Sequence, residues 1–280
     1  MSVVFTFRSA DNPEIRRTGL HPRHIGIVSW CAQVKAGGET AMTSAYVGTE
    51  LELFATATHW KSYVAASLRP YIRGRVLDVG AGLGGNIRHL VNPAVTAWTA
   101  LEPDPRLASM IESLDICHQS LAIRVVTGTI DDFQRSEHFE TILYMDVLEH
   151  IADDRAEIEK VVRLLAPGGI LVVLAPAHQF LFSPFDAAIG HYRRYSLQQL
   201  RNLIPTGFRT ELCRLIDCVG FFASLGNRMV LRQSQPTASQ IAVWDRFMVR
   251  ASRLLDPIVG YRIGKSALIV CRAPEDRVAC

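Results

Sequence analysis

The chain has 280 residues, of which 49% are apolar and 20% charged, and its net charge is +3. Such a composition belongs to a soluble globular protein built as one large domain or two small ones. No basic stripe interleaves with aromatic residues, so nucleic acid is not an expected partner.

The six cysteines form no C-x-x-C pair and read as buried or incidental thiols of a reducing compartment. No apolar run reaches the ~18 residues of a membrane span. The nearest, 212–231, is interrupted by Arg214, Asp217 and Arg228. No apolar signal core opens the chain, so the expected location is the cytoplasm, with no stable membrane insertion. The 26 Arg against four Lys fit a GC-rich, bacterial genome.

Residues 1–41 show no sustained period and read as an extension, with Met42 as an alternative start; 42–280 form the folded domain. Apolar residues then step by three or four from Leu53 through Ala57, Trp60, Val64 and Leu68, which predicts one helix ending near Pro70. Strands are predicted over 75–79, 95–101, 122–127, 141–145, 170–174, 208–215 and 267–271. Between them one helix opens at Asn86. A second is capped by Asp104, with Leu107, Met110, Ile111 and Leu114 on one face, and a third runs over 154–165 until Pro167-Gly168-Gly169. Ser196 and Gln199 form a capping box for another. Two apolar-periodic helices, 219–231 and 240–256, make the segment 219–264 a helical insertion before the last strand.

Alternation of this kind means right-handed crossovers and an α/β, doubly wound sheet. Such sheets bind ligands beyond the carboxyl ends of their strands, beside the switch point. Asp78, Glu102, Asp131 and Asp146 all follow strand ends and therefore converge on one crevice.

The segment Val76-Leu77-Asp78-Val79-Gly80-Ala81-Gly82-Leu83-Gly84-Gly85-Asn86 is where a buried strand meets a nucleotide. Its glycines are ambiguous. Gly80, Gly82 and Gly85 fit the dinucleotide fingerprint G-x-G-x-x-G, whereas Gly80, Gly82 and Gly84 fit G-x-G-x-G. Asp78 separates the two. A carboxylate here would repel a dinucleotide's pyrophosphate, which this turn receives on backbone N–H groups. The same carboxylate suits S-adenosylmethionine, which has no phosphate but carries an ammonium and a sulfonium.

The order of landmarks resembles the class I S-adenosylmethionine-dependent methyltransferases. The pieces are 76–84, Leu-Glu-Pro-Asp at 101–104, Gly-Thr-Ile-Asp-Asp-Phe at 128–133, Tyr-Met-Asp-Val-Leu-Glu-His-Ile at 144–151 and Leu-Ala-Pro-Gly-Gly at 165–169. Gly-His-Tyr-Arg-Arg-Tyr at 190–195 and Gly-Lys-Ser at 264–266 look like its type 11/12 small-molecule branch. The resemblance implies a seven-stranded, mostly parallel sheet whose last strand is antiparallel, S-adenosylmethionine as cofactor, and a small-molecule acceptor. It also implies that Thr129, Ile130 and Asp131 wrap the adenine, with Asp132 as an alternative acid.

Among single residues, Glu102 can accept both ribose hydroxyls, and Asp146 lies where the transferred methyl should point. His150 is the first candidate for a general base and His191 the second. Asp-x-x-Glu-His at 146–150 also resembles the Glu-x-x-Glu-His metal site of ubiquinone-pathway O-methyltransferases; the shorter Asp weighs against magnesium, and no metal is expected. Arg193, Arg194 and Tyr195 read as pins for the loop 176–195. Trp60 and Tyr63 read as either pocket wall or core. The expected function is methyl transfer from S-adenosylmethionine to an O, N or C atom of a secondary metabolite or a lipid or saccharide precursor. The alternatives are an NAD(P)-dependent oxidoreductase and a non-catalytic S-adenosylmethionine-binding protein. The insertion can close the pocket, form a homodimer or rest on a membrane.

Overall fold

The computed structural model describes residues 50–114, 121–134, 136–228 and 236–276. The extension 1–41 lies outside them. The elements, in order, are α1 (Glu50–Ala55), α2 (Thr58–Leu68), β1 (Gly74–Val79), α3 (Gly85–Leu90), β2 (Val95–Glu102), α4 (Pro105–Glu112), β3 (Ala122–Thr127), β4 (Phe139–Met145), α5 (Asp154–Val161), β5 (Leu165–Pro176), α6 (Pro184–Ala188), α7 (Leu197–Leu203), β6 (Arg209–Ile216), α8 (Cys218–Gly226), α9 (Ala238–Val243), α10 (Val249–Ile258) and β7 (Ser266–Arg272).

The seven strands form one sheet in the order β3-β2-β1-β4-β5-β7-β6. β1 pairs in parallel with β2 on one side and β4 on the other, so the chain reverses its winding between β1 and β4. That is the switch point, and ligands bind beside it. β7 runs antiparallel to both β5 and β6, as the resemblance implies.

Side-chain alternation assigns the two faces. Val76, Trp98, Leu143, Val172 and Leu268 pack one core with α2, α3, Ile241 and Trp244. Leu77, Leu101, Ile142, Leu171 and Ile269 pack the other with Ile158 and Val161 of α5 and Leu200 of α7. Tyr63 and Trp60 belong to the first core; the Tyr63 hydroxyl donates to Asp256 Oδ2 at 2.7 Å.

Four predicted elements differ in detail. The single helix expected up to Pro70 is two, because Ala57 leaves helical geometry (ψ 69°) and α2 starts afresh. Its cap comes from afar: Asp245 Oδ1 accepts from Trp60 N at 2.8 Å and Oδ2 from His59 N at 3.2 Å. In α4 the buried residues are Ala108 and Ile111, and Met110 is exposed. The helix expected over 154–165 ends at Val161 in a 3₁₀ turn, and β5 already begins at Leu165. Pro167 is tolerated there because the ladder skips from Leu165↔Phe139 to Ile170↔Thr141, a slip that needs no N–H from it. In the insertion, α9 continues through a π-helical turn, Trp244–Met248, into α10.

Candidate active site

The turn after β1 is built by glycines that other residues would spoil. Gly80, Gly82 and Gly84 have φ of 64°, 56° and 70°, the left-handed region, whereas Gly85 does not. A Cβ on Gly80 would sit 2.7 Å from Val147 Cγ2, and one on Gly84 2.7 Å from Leu114 Cδ1. The left-handed backbone thus follows the alternate spacing, G-x-G-x-G.

Asp78 is fully buried beneath this turn. Asn86 Nδ2 donates to its Oδ1 at 3.0 Å. The Trp98 indole approaches without reaching hydrogen-bond geometry, so Asp78 Oδ2 and Trp98 Nε1 are both left unpaired. Burial, reinforced by the Glu102 charge, pushes the Asp78 carboxyl up to about 7 despite the Asn86 bond.

Glu102, at the end of β2, is a buried acid and no solvated loop residue. Gly82 N donates to Oε2 at 2.8 Å and Asp104 N to Oε1 at 3.0 Å. Burial still raises its carboxyl above the usual range. The two backbone donors fix its plane and leave each oxygen a further lone pair.

After β3, Ile130 is buried, Asp132 Oδ2 accepts from Thr129 N at 2.7 Å, and exposed Asp131 pairs with Lys160 at 2.8 Å. The Thr129 cap therefore uses Asp132, and Asp131 faces α5.

The next strand ends bring a second group together. Asp146 follows β4 with φ 56°, and His178 follows β5 with φ 67°; both are left-handed non-glycines at the carboxyl edge, where strain collects at working sites. Asp146 is exposed, yet desolvation by the protein atoms crowded around it raises its carboxyl to about 6, against the pull of His191 and Lys265.

His150 and His191 meet edge to face, with ring centres 4.5 Å apart. Burial and the neighbouring His191 lower His150 to about 4, even though its ring is bonded to the Gly190 backbone. His191 is held differently: its Nδ1 lies 3.0 Å from Asp186 Oδ1. Asp186 is itself clamped, accepting from Arg194 Nε at 2.9 Å, from an Arg194 terminal nitrogen at 3.0 Å and from Ser183 Oγ at 2.7 Å. These bonds outweigh its burial and hold Asp186 well below the usual carboxylate range. An ionised Asp186 accepts from Nδ1–H, so in the neutral ring the lone pair falls on Nε2. Nε2 points toward Glu149, 3.8 Å away. Glu149 is fully buried, and neither of its carboxylate oxygens has a hydrogen-bond partner. Burial and the Asp146 charge raise it well above the usual range.

Glu149, His150 and His191 bring one ligand atom each within 4.8 Å of the others, so this trio can also receive a cation. The rest of the loop is pinned as the sequence suggested. Arg193 bonds the Ile151 and Ala152 carbonyls and Asp154, and the buried Tyr195 hydroxyl donates to Asp154 Oδ2 at 2.8 Å.

A methyltransferase domain model matches residues 52–216. The chain belongs to the methyltransferase domain family. A demethylmenaquinone methyltransferase of Tropheryma whipplei (strain Twist) is 30% identical over 59% of this chain and 67% of its own length. A ubiquinone biosynthesis O-methyltransferase of Parvibaculum lavamentivorans is 30% identical over 45% of this chain and 51% of its own. Among solved structures, a chain from the complex of the Haloferax volcanii Trm112 methyltransferase activator with a methyltransferase superposes with a TM-score of 0.53 at 20% identity. That match covers 81% of this chain and 99% of the other, and it shows the fold alone. The protein is thus a class I S-adenosylmethionine-dependent methyltransferase, and the oxidoreductase reading of the glycine turn is set aside.

Sequence reasoning assigned no role to Asp186 or Asn86, and it read Arg194 as a loop pin without naming its partner. A signal for the first was present: Ser183-Pro184-Phe185-Asp186 is a capping box, and the structure shows it formed. Nothing local announces that the same carboxylate also holds His191.

Proposed function

We propose that the protein binds S-adenosylmethionine across the β1–β4 switch point and methylates a small molecule from which His191 removes a proton. The observation that carries the reading is Asp78, a buried carboxylate with one oxygen unpaired, two residues before three alternate left-handed glycines. An ammonium is the partner such a group lacks. Gly80, Gly82 and Gly84 hold the turn in the left-handed region, and a Cβ on Gly80 or Gly84 would collide with Val147 or Leu114. Glu102 offers its remaining lone pairs to the ribose hydroxyls, and Ile130 offers apolar surface to the adenine. The cofactor supplies a methyl carbon already activated by a positive sulfur.

The chain's remaining work is to align the acceptor, exclude water and take a proton. His191 Nε2 takes it, because Asp186 and Arg194 fix the ring and its tautomer. His150, held near 4, is neutral at neutral pH and too weak a base for this step; it packs against the His191 ring. The two relatives above are named for demethylmenaquinone and for ubiquinone biosynthesis, which supports a small, largely apolar acceptor bearing an acidic O–H or C–H.

The test is transfer of label from S-adenosylmethionine to a panel of phenols, quinols and hydroxylated lipids. Labelled product with wild type, and its loss with His191→Asn while cofactor affinity holds, is expected. Transfer unchanged in His191→Asn would remove the base assignment. Cofactor binding without transfer to any acceptor would favour the non-catalytic reading.

A further inference from the structure

The helix running from α9 through the π turn into α10, Ala238–Ile258, is about 30 Å long at ~1.5 Å per residue. Its inner face packs on the domain through Ile241, Trp244, Val249 and Ser252. Its outer face is apolar where water should favour polar residues. Phe247 is 63% exposed, Leu254 72% and Ile258 78%, with Val243 in the same row. These residues recur at four- and seven-residue steps, so they form one ridge.

Charge is distributed as unevenly as apolarity. Residues 218–265 contain seven Arg or Lys against two acids, Asp245 and Asp256, a local net of +5 in a chain whose total is +3. Both acids are buried and turned inward. Asp245 caps α2, and Asp256 accepts from Asp217 N at 2.7 Å, Cys218 N at 2.9 Å and Tyr63. Arg246, Arg250 and Arg253 are exposed, Arg250 bonded to His59 and Arg246 lying over the Phe247 ring. The outer face therefore offers large apolar side chains beside arginines, with no acid among its exposed described residues. This is the pattern of a helix that lies in a lipid headgroup layer. A second copy docked through the same face would bring no acid to meet these arginines, which disfavours self-association.

The inner side of the same helix reaches the crevice. Trp244 takes the Lys265 ammonium on its ring at 3.9 Å and donates from Nε1 to Asp217 Oδ2 at 2.7 Å. The charge of Lys265 is felt in turn by Asp146. We propose that this helix docks the enzyme on an anionic lipid surface, with Val243, Phe247, Leu254 and Ile258 among the acyl chains and the arginines at the headgroups. Docking of this kind is peripheral and does not depend on the methyl-transfer reading, so each can fail alone.

The experiment is flotation of the full chain with vesicles of phosphatidylcholine alone and of phosphatidylcholine mixed with phosphatidylglycerol. Binding to the mixed vesicles at least about tenfold stronger than to the neutral ones is expected, and it should weaken as salt is added. The triple variant Phe247→Ser, Leu254→Ser, Ile258→Ser should lose about tenfold, as should Arg246→Glu with Arg253→Glu. All five side chains are solvent-exposed, so the melting temperature of each variant should match wild type. No binding by wild type, equal binding to both vesicle types, or folded variants that bind like wild type would overturn the proposal. So would a dimer in sedimentation that the triple variant dissolves, because the ridge would then be an interface between copies.

Discussion

Beyond β1 and β2 the polar groups are held by close neighbours in the chain. Asn86 bonds Asp78 from eight residues away, and Gly82 bonds Glu102 from twenty. Beyond β4 and β5 two loops meet: Asp186 holds His191 and Arg194 within one loop, and that clamp faces Glu149 and His150 of the other. Glu149 and His150 stand after β4, while His191, Asp186 and Arg194 arrive on the loop after β5. In the first half Asp78 Oδ2 is unpaired with the Trp98 indole close by, and Glu102 keeps a lone pair on each oxygen. The second holds two half-buried imidazoles and a buried carboxylate without a hydrogen-bond partner. Under the function proposed above the first half meets the cofactor and the second the acceptor, so changes in the two halves should fail differently.

The largest effects should separate affinity from turnover. Glu102→Ala removes a charged acceptor of two hydroxyls and is expected to weaken S-adenosylmethionine binding about 100-fold, roughly 3 kcal/mol, by calorimetry. His191→Asn should leave that affinity within about twofold and lower kcat about 100- to 1,000-fold, the usual contribution of a general base. Equal losses in both quantities for both variants would erase the division. Next in size is Asp186→Asn. Its effect passes through the tautomer of His191, so kcat should fall about tenfold and the acid limb of the pH–rate profile should move, with cofactor affinity unchanged.

A smaller effect concerns Asp78. Its carboxyl is held near 7 in the fold against an ordinary 3.8. Between those values the folded chain keeps a proton that the unfolded chain releases, so this group lowers stability as pH rises through that window. A bound ammonium reverses the penalty. The rise in Tm caused by S-adenosylmethionine should therefore grow from about pH 6 to about pH 7.5, and a flat or falling Tm gain would show that no cation meets Asp78. The smallest effect is expected from Glu149→Gln. Burial already favours the neutral acid, so turnover should stay within about twofold and chelators should have no effect. A large loss, with wild-type activity raised by added magnesium, would instead make Glu149, His150 and His191 a cation site.

The cofactor half was legible because its information is local. Asp78 and the alternate glycines lie within one turn, and strand alternation places Glu102 next to them. The acceptor half was legible only in pieces. His150 and His191 stood out as residue types, yet their 4.5 Å meeting depends on how two separate loops come together. The break between α1 and α2 was hidden for the same reason, since its cap, Asp245, lies 185 residues from Trp60. Met110 shows a third limit: an apolar residue at helical spacing is not thereby buried.

The central claim is that Asp78 and the left-handed glycines receive S-adenosylmethionine. Titration calorimetry of the wild-type chain and Asp78→Asn, each with S-adenosylmethionine and with NAD, tests it most directly. The account predicts one-to-one binding of S-adenosylmethionine to wild type, a loss of about tenfold or more in Asp78→Asn, and no heat with NAD. Binding of NAD, or equal affinity of the two proteins for S-adenosylmethionine, would contradict it.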